Sequence, residues 1–101
     1  MYLQQGDVLI KKIVKLEGEL KKRNDHILAL GETTHTHRVA VEDINKVEMF
    51  DLDERLIMRV KSPAKIEHEE HNTVLVPVGD YEIKKVREYD YFLEEVRSVQ
   101  D

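Results

Sequence analysis

Four of the five histidines fall in two tight pairs, His35-Thr36-His37 and His68-Glu69-Glu70-His71, with Glu32, Glu67, Glu69 and Glu70 close by in sequence. Imidazole is the commonest protein ligand for metal ions. Strand side chains repeat every second residue, so His35 and His37 would share one face and could share one ion. His68 and His71 are three apart, and a straight strand would send them to opposite sides. Both can serve the same ion only if the segment turns, as in one helical turn or a bulge. If it stays extended, His68 pairs with Glu70 and His71 with Glu69. A site of three histidines and one carboxylate therefore stands beside a four-histidine site. Such nitrogen and oxygen donors suit a divalent transition metal such as Zn, Fe, Mn, Ni or Co, and the sequence leaves its identity open.

A metal with an open position turns bound water into a nucleophile or a redox ligand. Glu70 is the first candidate for a general base and Glu69 the second; Glu70 and Glu32 are also the candidate carboxylate ligands. Arg38 or Arg59 would hold an anionic group. His26 stands alone and reads as structural. Other chemistries are poorly served. The chain has no cysteine, its serines are Ser62 beside a proline and Ser98 near the C-terminus, and its four glycines are dispersed singly. Thiol catalysis, a nucleophilic serine elbow and a phosphate-cradling glycine loop are all without support. The competing reading of the histidines and acids is an exposed ionic network or a pH-sensitive surface.

The elements that must hold these residues read as β. Val8-Leu9-Ile10 and Ile13-Val14 suit a strand leaving a Gly6-Asp7 turn. Leu9, Ile13, Leu16 and Leu20 also fit a helical face, but Glu17-Gly18-Glu19 would break a helix in its middle, which favours a strand followed by a loop. Lys21 to Asp25 reads as a turn. His26 to Leu30 is a short apolar run closed by Gly31. From His35 to Val41 the alternation sets His35, His37, Val39 and Val41 on one face, which directs the histidine pair inward. Val47 to Phe50 and Arg55 to Val60 look like two strands around a turn, and Ala64 to His68 and Thr73 to Val76 like two more short extended pieces. Pro77-Val78-Gly79-Asp80 reads as a turn. Tyr81 to Tyr89 reads as a last strand with a bulge at Val86, and Phe92 to Val99 as a short C-terminal helix. Tyr89, Tyr91 and Phe92 form an aromatic cluster that suits packing. Short strands at regular spacing predict an all-β sandwich or small barrel.

A chain of 101 residues is one domain with a single core. Its net charge of −5 opposes non-specific nucleic-acid binding, which rests on clustered Lys and Arg. The short basic run Lys21-Lys22-Arg23 reads as a solvated turn. No apolar run approaches the ~20 residues that span a bilayer. The N-terminus has neither the basic lead nor the apolar stretch of a signal peptide, so a cytoplasmic location is expected. Charged residues make up 37% of the chain, a balance resembling thermophile surfaces.

Gly31-Glu32-Thr33-Thr34-His35-Thr36-His37 and the following Glu42 resemble the first metal motif of the cupins, in which a glycine precedes a His-X-His pair and a glutamate follows. Pro77-Val78-Gly79 resembles the turn of the second cupin motif. Here Glu82 replaces the histidine expected after that turn, the glycine-to-histidine spacing is short, and alternation turns Glu42 away from His37. A fuller resemblance, over nearly the whole length, is to a group of small uncharacterised proteins encoded in bacteria, archaea and phages. It rests on Gly6-Asp7-Val8-Leu9-Ile10, Gly31 to Arg38, His68-Glu69-Glu70-His71, Pro77 to Tyr81 and Arg87-Glu88-Tyr89. Thr34 departs from the glycine more usual in that group.

The sequence thus predicts an all-β domain holding a metal at His35, His37, His68 and His71, with Glu32 and Glu70 as carboxylate candidates and an unknown small-molecule substrate if it is an enzyme. The alternative is a non-catalytic interaction or assembly module of a phage or mobile element, with the clusters as a polar rim. A symmetric homo-oligomer is compatible with either, through an exposed edge strand.

Overall fold

The computed structural model describes residues 2–30 and 35–85. Ten strands follow one another: β1 Tyr2–Gln5, β2 Val8–Ile13, β3 Lys21–Lys22, β4 Ile27–Leu30, β5 Thr36–Val39, β6 Val47–Leu52, β7 Arg55–Val60, β8 Ala64–Glu67, β9 Val74–Val76 and β10 Gly79–Lys85. A 3-10 turn, Val41–Lys46, lies between β5 and β6. The strands form two antiparallel sheets, one in the order β1-β2-β10-β7-β6-β3 and the other β4-β5-β8-β9. The fold is all-β, as the alternation predicts, with two sheets and no closed barrel among the described residues. No helix among them is long and apolar enough to cross a membrane.

Alternation along the strands builds a shared core. Val8, Ile10, Met49, Met58, Val60, Tyr81 and Ile83 from the larger sheet meet Leu28, Val39, Ala64, Ile66 and Val76 from the smaller one. Tyr81 is fully buried and its hydroxyl donates to the Pro77 carbonyl at 2.8 Å, so the phenol satisfies its polar atom inside the core. The second face of the larger sheet is covered by chain rather than by another sheet. Ile13, Leu16 and Leu20 pack on Phe50, Leu52 and Ile57. The apolar spacing of residues 9–20 thus comes from a strand and then a loop laid back over the sheet.

Three local expectations are corrected. Lys21 and Lys22 are no turn but a two-residue strand paired with Asp51 and Phe50 of β6. Val41 does not continue the inward face of β5: it opens the 3-10 turn and is 76% exposed. There the chain turns because Asp43 is buried and anchored: its carboxylate accepts from the Lys65 amide at 2.9 Å and pairs with Lys46. Gly79, expected in a turn, is the first residue of β10. The expected strand beyond Lys85, with its bulge at Val86, the aromatic cluster and the helix from Phe92 to Val99 all lie outside the described residues.

Ile66 is fully buried between the sheets, on the strand that leads to His68. Ile66→Ala should therefore cost about 2–5 kcal/mol of unfolding free energy. Val41→Ala, at an exposed position, should leave it within about 0.5 kcal/mol. Urea denaturation of both variants checks the contrast.

Candidate metal centre

The pairing of β5 with β8 decides where the histidines go. Arg38 lies opposite Glu67 and Val39 opposite Ile66. Continuing that antiparallel register sets His37 opposite His68, Thr36 opposite Glu69 and His35 opposite Glu70. The side chains follow this order. The rings of His37 and His68 lie 4.2 Å apart between centroids. Glu69 accepts from the Thr36 amide at 2.8 Å and from Arg38 at 2.6 Å. His35 Nε2 lies 3.4 Å from Glu70 Oε1.

His71 joins the same group because the chain bends after β8. The Glu70 amide donates to His68 Nδ1 at 3.1 Å, and this local bond closes the turn. The His68 and His71 rings end 4.6 Å apart, so the straight arrangement with its His71–Glu69 pairing is not what forms. His35 lies 5.6 Å from His68, and His37 lies 6.0 Å from His71. Exposure grades across the cluster. His37 is buried, His35 and His68 are partly covered, and His71 faces solvent.

His37 is the most constrained of the four. Its Nδ1 lies 2.9 Å from Gln5 Oε1. The Gln5 amide nitrogen donates to the carbonyls of Ile66 and Asn72, at 2.8 and 2.9 Å. That fixes the amide orientation, leaves Oε1 as an acceptor and makes His37 Nδ1 the donor. Burial holds the imidazole below its usual pKa, reinforced by His68 and opposed by Asp7. With Nδ1 the donor to Gln5, Nε2 of the neutral ring carries a lone pair, and it stands 3.3 Å from Asp7 Oδ1.

The hairpin tip that carries Asp7 also shapes the floor of the cluster. Gly6 has φ +56°, and a Cβ there would collide with Nε2 and Cδ2 of His71. The left-handed backbone favours glycine there, and a larger residue would push the exposed His71 ring aside.

Several candidates from the sequence take other roles. Glu69 is committed to Thr36 and Arg38, and the Thr36 amide leads the causes that pull its pKa down to about 2, so it is a poor base. Arg38 is bound to Glu69, and Arg59 to Asp80 at 2.9 Å, so neither is a free anion holder. His26 Nε2 meets the Val47 carbonyl at 3.0 Å, the structural role expected of it. Glu42 pairs with Lys65 and Glu82 with Arg55, away from the histidines. Glu32 lies outside the described residues. Gln5 and Asp7 were missed: Gly6-Asp7 reads in sequence only as a turn, and nothing local says that it faces a histidine 30 residues on.

Among the described residues no group of three or more His, Asp or Glu side chains is arranged as it stands to hold a metal ion. The donor chemistry nevertheless fits. Ligand bonds of about 2.0–2.1 Å at a tetrahedral angle separate two donors by about 3.3 Å, and place neighbouring imidazole centroids about 5.2 Å apart. The His37–Asp7 distance of 3.3 Å matches the first length, and the His35–His68 and His68–His71 spacings of 5.6 and 4.6 Å bracket the second, whereas His37 stands closer to His68, at 4.2 Å, and farther from His71, at 6.0 Å.

Fold and site together define a small antiparallel two-sheet domain with a histidine cluster at one end of the β5–β8 pair. The chain belongs to the family described as Domain of unknown function (DUF8820), whose model matches residues 4–86. That span takes in Gln5, Asp7 and both histidine pairs. No curated protein and no solved structure matches the chain.

Gly6→Ala should destabilise the fold by about 1–2 kcal/mol through the left-handed backbone alone. It should also displace the His71 ring, visible as shifted His71 imidazole resonances by NMR. Unchanged stability and unchanged resonances would contradict the contact.

Proposed function

We propose that this domain binds a divalent transition metal through His35, His37, His68 and His71. The observation that carries the reading is the meeting of four imidazoles from two distant stretches, one of them buried with a bare nitrogen directed at a carboxylate. Metal-binding histidines characteristically donate their second ring nitrogen to a fixed acceptor, which sets the tautomer and the ring orientation. Gln5 does this for His37. His35 and His71 lie nearer solvent and provide the side from which an ion enters. His68 gives up its bond from the Glu70 amide, or turns its other nitrogen, to join the ligand set.

Glu70 is the carboxylate left for an outer ligand or a base, because Glu69 is tied to Arg38 and its acidity is too high. Zn, Fe, Mn and Ni all accept such a donor set.

Elemental mass spectrometry on untagged protein, purified without chelator or added metal, tests this directly. About one equivalent of metal is expected in the wild type, and less than about a tenth of that in the double variant His35→Ala/His37→Ala, with the fold retained by circular dichroism. A wild-type protein that is empty and takes up none of these ions overturns the reading. Unchanged metal content in the variant, together with lost self-association, would instead favour an interaction module.

A further inference from the structure

The tip of the β1–β2 hairpin reaches the cluster from the other sheet. Gln5 pairs with Val8 across a two-residue loop, which leaves Gly6 and Asp7 alone at the turn. Three consecutive residues then meet the histidines in three ways. Gln5, 2% exposed, holds His37 Nδ1. Gly6 lies flush against the His71 ring. Asp7 sets Oδ1 3.3 Å from His37 Nε2, while its Oδ2 lies 3.6 Å from Lys85 Nζ.

Resting on the metal reading above, we infer that Gln5-Gly6-Asp7 is the third arm of the centre, with Asp7 as a carboxylate ligand beside His37 Nε2 and Gln5 as the positioning residue that presents that nitrogen. Four neutral imidazoles leave a divalent ion with its whole charge uncompensated next to a buried ring. Asp7 supplies one negative charge beside His37 Nε2. A mixed imidazole and carboxylate set also steers the site towards borderline divalent ions and away from soft Cu(I), which thiolate and thioether sites prefer.

The Gln5 amide cannot play its part reversed. Its nitrogen is consumed by the Ile66 and Asn72 carbonyls, so the oxygen alone faces His37. The histidine is thereby held in the tautomer that leaves Nε2 bare. Its orientation is set by the end of β8, the same stretch that delivers His68. Gln5 therefore couples the hairpin to the histidine segment as well as choosing the nitrogen.

Cobalt(II), whose visible bands report the ligands around it, is the probe. Wild type, Asp7→Asn and Lys85→Ala are titrated with cobalt(II) in parallel. Asp7→Asn is expected to weaken binding at least about tenfold and to shift the absorption bands, because an oxygen donor changes. Lys85→Ala should leave the bands where they are. In metal-free wild type, nitrogen-15 shifts should show His37 protonated at Nδ1. In Gln5→Leu, checked for fold by circular dichroism, that preference should relax and cobalt affinity should fall about 10–100-fold.

Unshifted bands in Asp7→Asn overturn the ligand role, even with a weaker affinity, since a remote charge would do only that. A His37 protonated at Nε2 in the wild type overturns the role of Gln5. Wild type that binds no cobalt overturns the metal reading itself, and this inference with it. Normal wild-type binding with unaltered variants removes this inference alone.

Discussion

The antiparallel register between β5 and β8 is the constraint on which the site depends. Once Val39 is opposite Ile66 and Arg38 opposite Glu67, the same register sets His37, Thr36 and His35 against His68, Glu69 and Glu70. Two buried apolar residues fix that register, because a slip of one position would turn Val39 and Ile66 out of the core. His37 and His68 follow as neighbours without any preference of their own. The Glu69–Arg38 and Glu70–His35 pairs then line the ladder beyond its last backbone pairing. Hydrophobic burial at one end of the strands thus places polar chemistry at the other.

Gln5 adds what register alone does not supply. A buried histidine can rotate or exchange tautomers unless a neighbour fixes it. Gln5 is itself fixed by two carbonyls, so three hydrogen bonds make one rigid unit of β1, β5 and the end of β8. Unsatisfied polar groups in such a place would each cost about 1–3 kcal/mol, which makes the bonded arrangement strongly preferred. His71 and Glu70, on an exposed bend, are held by less. The cluster therefore joins a buried, hydrogen-bonded half at His37 to a more open half at His71 and Glu70.

Much of the fold could be read from local pattern. Alternation marked β5 and β7, short extended pieces marked β2 and β8, and the stretch Asp51 to Glu54 read as the turn between β6 and β7, although Asp51 and Leu52 still pair within β6. The inward direction of His37 followed from its phase with Val39, and both are 2% exposed. Val41 broke that phase because Asp43, a polar residue with no apolar signature, pulls the chain into a turn by accepting the Lys65 amide. Lys21 and Lys22 looked like a solvated turn because an edge strand of two exposed lysines carries no alternation to detect. Leu16 and Leu20 had helical spacing, yet they cover Leu52 and Ile57 from a loop, since burial needs only apolar atoms over the sheet and no regular backbone.

By itself the sequence determined the strand periodicity, the inward phase of His37 and the presence of two histidine pairs with acids beside them. These are local properties, written in residue type and in a repeat of two. Only the tertiary structure decided that His68 and His71 share a side, since that depends on a bend closed by the Glu70 amide. Only it brought Asp7 and Gln5 from the first hairpin to His37, across a separation that no local pattern encodes. It also separated Glu69 from Glu70, adjacent and alike in sequence: one is captured by Arg38 and the Thr36 amide, and the other reaches His35. Which carboxylate can act at a site depends on what else it touches, and those contacts exist only once the sheets have packed.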